Sequence, residues 1–259
     1  MPRYDFRTPR VFVDAPLRQG AEVPLDRDQA NHLCNVLRLK AGDAVLLFNG
    51  RDGEWGAALT GTGKRALLAG IDRQLRPQPA ASDLDFLFAP LKHARLDYVV
   101  QKAVELGVSR LRPVLTRHTQ VTRINLDRMR ANVVEAAQQC GVLTIADVTE
   151  PVQLKTIAET DPDRLLIFCD EDADVADPLA ALAKARPRPS ALLPDAALTA
   201  MPMAVLIGPE GGFSEEERAM LVKRPNVVRL SLGPLIMRAD TAAVAALTLT
   251  QAVLGNWKA

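Results

Sequence analysis

The chain has 259 residues, enough for one large domain or two smaller ones at roughly 100 to 200 residues per domain, either able to bury a core without disulfide staples. Hydrophobic residues make up 48% and charged residues 24%, which excludes a disordered or fibrous chain. The net charge of +1 conceals an asymmetry: residues 1–130 carry 21 Lys and Arg against 14 Asp and Glu (+7), and residues 131–259 carry 11 against 17 (−6). A basic half on a nearly neutral chain fits a polyanion partner, although an unevenly solvated surface gives the same numbers. Cys34, Cys140 and Cys169 are far apart and form no CxxC, so a reducing compartment is expected, with neither a metal nor a disulfide framework. No apolar run follows the start MPRYDFRTPR, and the apolar stretch Thr241–Leu254 is short and holds three threonines and a glutamine. Neither a secretory leader nor a membrane span is expected, and the reading is a soluble cytoplasmic protein.

In chain order, short apolar runs come first: 11–13, 44–49, 54–60 and 66–71, with Asn49–Gly53 as a hairpin loop. Asp28–Leu37 reads as a short helix with Asp28 as its N-cap. A Pro- and Ala-rich interruption at 77–82 marks a boundary, predicting a small β-barrel or sheet over 1–76 and a second domain over 77–259. From there strands alternate with helices: strand 84–89, helix 95–106 stopped by Gly107, strand 110–115, helix 126–140, strands 145–149 and 164–169, and helix 178–185. After a long loop at 186–203 come strand 203–207, helix 214–222, strand 227–230 and a last helix from about 240 to 255, apolar nearly all round. This alternation predicts an α/β domain with a mostly parallel sheet, whose ligands sit at the carboxyl ends of the strands.

Three segments lie where that rule points. In Val205–Glu217 an apolar strand runs into Gly208, Gly211 and Gly212, and Ser214 with Glu217 forms a capping box. There is no P-loop or GxGxxG pattern, and Glu215, Glu216 and Glu217 would repel a polyphosphate, so a neutral or cationic ligand fits better. Leu230–Thr241 repeats the plan, a strand and a Gly-Pro turn leading to a helix that starts with Arg238 and Asp240. That pair is either an ion pair with Asp240 as N-cap or a pair of site residues. In Leu91–Gly107, Lys92 and Arg95 follow the first strand of the sheet and could hold phosphates, while Gln101 and Glu105 lie one turn apart on a solvated face. His32, His93 and His118 have no metal-ligand spacing, and Cys140 and Cys169 read as core residues.

HLCNVLR (32–38), LKHARLDYVVQKAVELGV (91–108), EAAQQCG (135–141), LIGPEGGFSEEE (206–217) and LGPLIMRADTA (232–242) together resemble the RsmE family of the SPOUT superfamily. These are bacterial methyltransferases of uridine N3 in 16S ribosomal RNA. The resemblance implies a PUA-like β-barrel over 1–76 and a SPOUT α/β domain over 77–259 with a C-terminal trefoil knot, in a homodimer. It also implies S-adenosylmethionine as cofactor, which as a sulfonium cation suits the acidic helix start. By similarity, Leu206, Ile207, Gly208, Glu210, Gly211, Gly212, Ser231, Leu232, Gly233, Leu235 and Met237 would bind it.

Arg238 is the implied catalytic group, stabilising negative charge on the uracil oxygens, and Asp240 is placed beside it. Asp240, Glu105 or water would take the proton. The small ribosomal subunit's RNA would be held by Arg3, Arg7, Arg10, His32, Arg38 and Lys40, then by Lys92, Arg95, Lys102, Arg117 and Arg123. The chain departs from the family in having Leu235 and Val142 where Arg is usual, and Asp240 where Glu is commoner. Two other readings stay open: an RNA-binding protein of this fold without catalysis, and a methyltransferase with a different RNA acceptor.

Overall fold

The computed structural model describes residues 7–61, 67–121, 123–174, 177–185, 201–255 and 257. The chain divides into two compact units, one of residues 1–80 with 137–145, the other of 81–136 with 146–259. The long loop expected at 186–203 lies mostly outside the described residues, as does Arg3.

In the first unit β1 (Arg10–Phe12), β2 (Glu22–Leu25), β3 (Ala44–Phe48), β4 (Glu54–Thr60) and β5 (Leu67–Arg76) form a five-stranded sheet in the order β1-β3-β4-β5-β2. Only β1 and β3 pair in parallel. Leu33, Val45, Leu47, Leu59 and Ala69 are among its buried core side chains. Strand β2 escapes a reading by apolar runs because Pro24 interrupts it; as an edge strand it tolerates the missing N–H. Between β3 and β4, Asn49 Oδ1 accepts the amides of Arg51 and Asp52, closing the hairpin loop. The helix after β2 starts earlier than expected. Helix α1 (Arg27–Asn31) is capped by Asp26, not Asp28, in a reciprocal capping box with Gln29, and passes at once into a π-helical turn, His32–Val36. Gln29 thus supplies the partner three residues on that the alternative cap at Asp28 lacks.

In the second unit β6 (Leu84–Phe88), β7 (Arg110–Leu115), β8 (Asp147–Val148), β10 (Leu165–Cys169), β11 (Met203–Ile207) and β12 (Val227–Leu230) run in the order β12-β10-β11-β6-β7-β8, with β9 (Val152–Gln153) also on β7. Every pairing is parallel. β6, β10 and β11 are buried at every position, as a parallel sheet covered on both faces requires. The helices are α2 (His93–Glu105), α3 (Leu126–Cys140), α4 (Leu154–Glu159), α5 (Pro178–Ala185), α6 (Glu215–Val222) and α7 (Ala239–Val253). One face of the sheet packs Leu87, Leu166, Phe168, Ala204 and Leu206 against Leu154 and Ile157 of α4 and Leu221 of α6.

Helix α4 was not expected. It is short, and its carboxyl end is capped from afar, by Arg224 donating to the carbonyls of Ile157, Ala158, Thr160 and Asp161. Helix α7 is less enclosed than its composition suggests. Ala243, Ala246, Leu247, Thr250 and Gln251 are buried, but Ala242, Val244, Ala245 and Leu249 are half-exposed. Cys140, expected in the core, is exposed at the end of α3, beyond Ala137, the last buried position.

Buried charge locks each unit internally. Asp85 at the start of β6 faces Arg110 at 3.2 Å, Arg112 at 3.1 Å and Arg164 at 3.7 Å. In the first unit Glu54 bridges Arg10 (2.6 Å) and Arg76 (2.8 Å).

Candidate active site

Because the strands are parallel, β6, β10, β11 and β12 all deliver their carboxyl ends to one edge. The loop Gly208–Ser214 leaves β11, the loop Ser231–Arg238 leaves β12, and β10 exits between them in Asp170, Glu171 and Asp172. Two sheet spacings, about 10 Å, therefore separate the strands that carry the two glycine loops.

The first loop is shaped by close packing. A Cβ on Gly208 would lie 2.5 Å from the ring of Phe213, which is buried and packs edge-on against Phe168 at 5.0 Å. Gly212 closes a turn onto the carbonyl of Pro209 (2.9 Å) with φ +66°, and a side chain there would strike Glu171. Ser214 then caps α6: its hydroxyl accepts the Glu217 amide, and Glu217 returns a carboxylate to the Ser214 amide at 2.9 Å, the expected capping box. Gly208→Ala is expected to overpack Phe213 and lower stability by about 1–3 kcal/mol, measurable by chemical denaturation. A parent-like denaturation midpoint would show that Phe213 moves aside freely.

Asp170, buried at the end of β10, accepts from Arg218 of α6 at 3.1 Å and from Arg229 of β12 at 2.5 Å. Arg218 also reaches Glu171 and Asp172, both at 2.8 Å. Among the described residues these three carboxylates are the one acidic group close enough to gather a metal ion, and the guanidinium already supplies positive charge among them. The cluster ties the exits of β10 and β12 to the start of α6. Neighbouring Cys169 is an inert thiol, its pKa pushed up to about 12 by burial and by the Asp170 charge.

The second loop is open. Gly233 has φ +118° with nothing within 4 Å of its Cβ position, and Leu235 and Ile236 are 78% and 97% exposed. Arg238, not Asp240, is the N-cap residue of α7; its side chain makes no capping bond, and it is exposed with no ion-pair partner among the described residues. Asp240 sits half-buried in the first turn and accepts the Thr241 amide at 3.0 Å, and of the two readings of the pair the Arg238–Asp240 ion pair is not the one observed.

Residues 78–251 match the RNA methyltransferase domain family, and residues 25–72 match the RNA methyltransferase PUA domain family. The chain belongs to the RNA methyltransferase domain family. It is 28% identical over 239 residues to ribosomal RNA small subunit methyltransferase E of Rickettsia conorii, covering 92% of this chain and 93% of the relative. A methyltransferase structure from Legionella pneumophila in complex with the bound cofactor SAM matches with TM-score 0.77 and 28% identity, over 95% of this chain and 98% of that one. A ribosomal RNA small subunit methyltransferase E from Neisseria gonorrhoeae has the same fold, with TM-score 0.78 at 24% identity over 97% of this chain and all of that one.

Of the residues expected at the cofactor, Ile207, Gly208, Glu210, Gly211 and Gly212 follow one another from the end of β11, and Ser231, Leu232, Gly233, Leu235 and Met237 lie along the loop after β12. The side chain of Leu206 is fully buried in the core with Phe168 and Phe213, so it would meet a ligand through its main chain alone.

The basic residues divide. Arg7, His32, Arg38, Lys40, Lys92 and Arg123 are exposed. Arg95 and Arg117 are exposed but face Glu210 and Glu216, each at 3.3 Å. Arg10 is a correction. Its side chain is 4% exposed, pairs with Glu54, lies 4.0 Å over the Phe48 ring and donates to the carbonyls of Ala137, Gln138 and Val142, so it has nothing left for a phosphate. Lys102 and Glu105 bond to each other at 2.7 Å. They sit near the far end of the 13-residue helix α2, about 14–18 Å along its axis from its start at the strand ends. That distance removes Glu105 as the proton acceptor and Lys102 from this edge.

Proposed function

We propose that this RNA methyltransferase transfers the methyl group of S-adenosylmethionine to N3 of one uridine in 16S ribosomal RNA of the small subunit. The observation that carries the reading is Arg238, without an ion-pair partner among the described residues, at the same sheet edge as two glycine loops. The site's chemistry fits the cofactor: Glu210 and the three glutamates of α6 suit a sulfonium better than a polyphosphate, and exposed Leu235–Met237 suit its apolar parts. Residues Ile207–Gly212 and Ser231–Met237 would hold the cofactor, which when bound would supply an electrophilic methyl.

The residues of the chain do the rest. Arg238, which pairs with no carboxylate among the described residues, places its guanidinium against the uracil oxygens as the N3 proton leaves. Asp240 follows it by two residues and serves beside it. The RNA lies along exposed Arg7, His32, Arg38 and Lys40 of the first unit, and Lys92, Arg95, Arg117 and Arg123 of the second. Helix α2 starts with Lys92 and Arg95 and no acidic residue, the reverse of what a helix dipole favours, and thus suited to an anion. The same reading includes a C-terminal trefoil knot, a cytoplasmic location and a homodimer. The half-exposed apolar face of α7 supports a second copy. A monomer by light scattering at micromolar concentration would overturn that part. No described helix is long and apolar enough to cross a membrane.

Arg38 holds φ +59° at the end of the π-helical turn, a conformation that costs a non-glycine residue about 1 kcal/mol. Arg38→Gly is expected to keep or raise the melting temperature while weakening RNA binding several-fold in a filter-binding titration. Unweakened binding would remove Arg38 from the RNA path. The deciding experiment is labelled methyl transfer to small ribosomal subunits lacking their own modification, followed by nucleoside analysis. N3-methyluridine is the expected product. Another methylnucleoside would move the acceptor, and cofactor binding without transfer would favour an RNA-binding protein of this fold.

A further inference from the structure

We propose that His118 is a positioning residue for the cofactor loop, its Nδ1–H pinning the carbonyls of Gly211 and Gly212 in the shape that receives S-adenosylmethionine. The inference rests on the reading of Gly208–Gly212 as the cofactor loop. His118 Nδ1 lies 3.0 Å from the Gly211 oxygen and 3.1 Å from the Gly212 oxygen. Carbonyl oxygens only accept, so Nδ1 carries the proton and is shared between them. Among the described residues no other side chain bonds these two carbonyls. Successive carbonyls of an extended chain point apart; here the turn closed by Gly212 brings both to one donor. The fit is close, since a Cβ on Gly211 would stand 3.2 Å from His118 Cβ, tighter than ordinary packing.

The histidine is itself held. At the end of β7 the Thr116 amide donates to Thr119 Oγ1 at 2.8 Å and the Thr119 amide donates back to the Thr116 carbonyl at 3.2 Å, making a closed turn. The next residue, Arg117, donates its amide to Glu217 Oε1 at 2.8 Å, and the other oxygen of that carboxylate takes the Ser214 amide. One turn therefore grips the loop through His118 and the start of α6 through Arg117, although β6 lies between β7 and β11 in the sheet. The bonds join distant segments but are solvent-exposed, so they set loop shape more than global stability.

The test is the dissociation constant for S-adenosylmethionine by calorimetry on the full chain, with kcat at saturating cofactor and the melting temperature alongside. His118→Ala and His118→Phe are expected to weaken binding about 3- to 10-fold, the loss of one shared hydrogen bond, with kcat and melting temperature unchanged. His118→Asn, whose side-chain N–H reaches the Nδ1 position, is expected to restore affinity to within about twofold. Parent-like affinity in His118→Ala overturns the proposal. So does weak binding by His118→Asn with full binding by His118→Phe, which would make ring packing the role. A parent chain that fails to bind the cofactor instead overturns the cofactor reading, and the proposal with it.

Discussion

Arg238→Ala is expected to lower kcat for methyl transfer about 100- to 1000-fold while leaving cofactor affinity and melting temperature close to those of the parent chain. The size follows from the loss of one donor aimed at developing charge. The selectivity follows from the structure: Arg238 has no ion-pair partner among the described residues and makes no side-chain cap for α7, so its removal breaks no observed bond. Arg238→Lys keeps the charge but loses the planar fork, and should recover only part of the rate if two uracil oxygens are bound. Single-turnover kinetics at saturating cofactor measure this directly. Near-normal turnover in Arg238→Ala would remove the assigned role and shift attention to Asp240.

The second large effect concerns stability in the first unit. Glu54→Gln is expected to cost about 3–5 kcal/mol at neutral pH, lowering the melting temperature of that unit by at least about 10 °C. The carboxylate is 3% exposed and is the charge partner of Arg10, itself 4% exposed, as well as of Arg76. An amide of the same shape would leave a buried guanidinium facing carbonyls and a neutral group. Burial by itself would raise the pKa of Glu54, but the hydrogen bonds from Arg76 and Arg10 outweigh it and hold the group below its ordinary 4.5. A carboxylate depressed on folding contributes stability that is present above the unfolded pKa and lost as pH falls below it. The difference between parent and variant should therefore be constant near neutrality and shrink as pH falls below about 4.5. A difference independent of pH across that window would show that the pair contributes by packing alone.

Much of the second unit was legible because its strands and helix ends carry local signals. LDFLF, LLIFC and MAVLI are apolar runs short enough for strands, Gly107 stops α2, and Ser214 with Glu217 announces α6. What was not legible depends on partners far along the chain. Arg10 was read as a phosphate contact from its charge, yet Glu54 lies 44 residues away and the carbonyls it binds lie 127 to 132 away. Helix α4 exposes too little periodicity to be seen, and Arg224, which caps it, follows by more than 60 residues. The Asp170–Arg218–Arg229 cluster exists because β10 lies between β11 and β12, an order that sequence spacing does not reveal. In sequence His118 shows only that it lacks metal-ligand spacing; its value as a donor to two carbonyls appears once the turn after β7 is placed against the glycine loop.

The small unit is discontinuous: it takes residues 137–145 as well as 1–80. Those nine residues supply the carbonyls that satisfy the buried Arg10 and the oxygen of Gly141 that Arg76 binds. A fragment cut at the Pro-rich linker would keep both arginines with Glu54 but lose the carbonyls that complete their bonding. The unit is thus not a cassette that can be exchanged between chains at that linker. Any graft that carries its surface elsewhere has to bring the end of α3 with it, and recombination within such genes is constrained to crossovers that respect both segments.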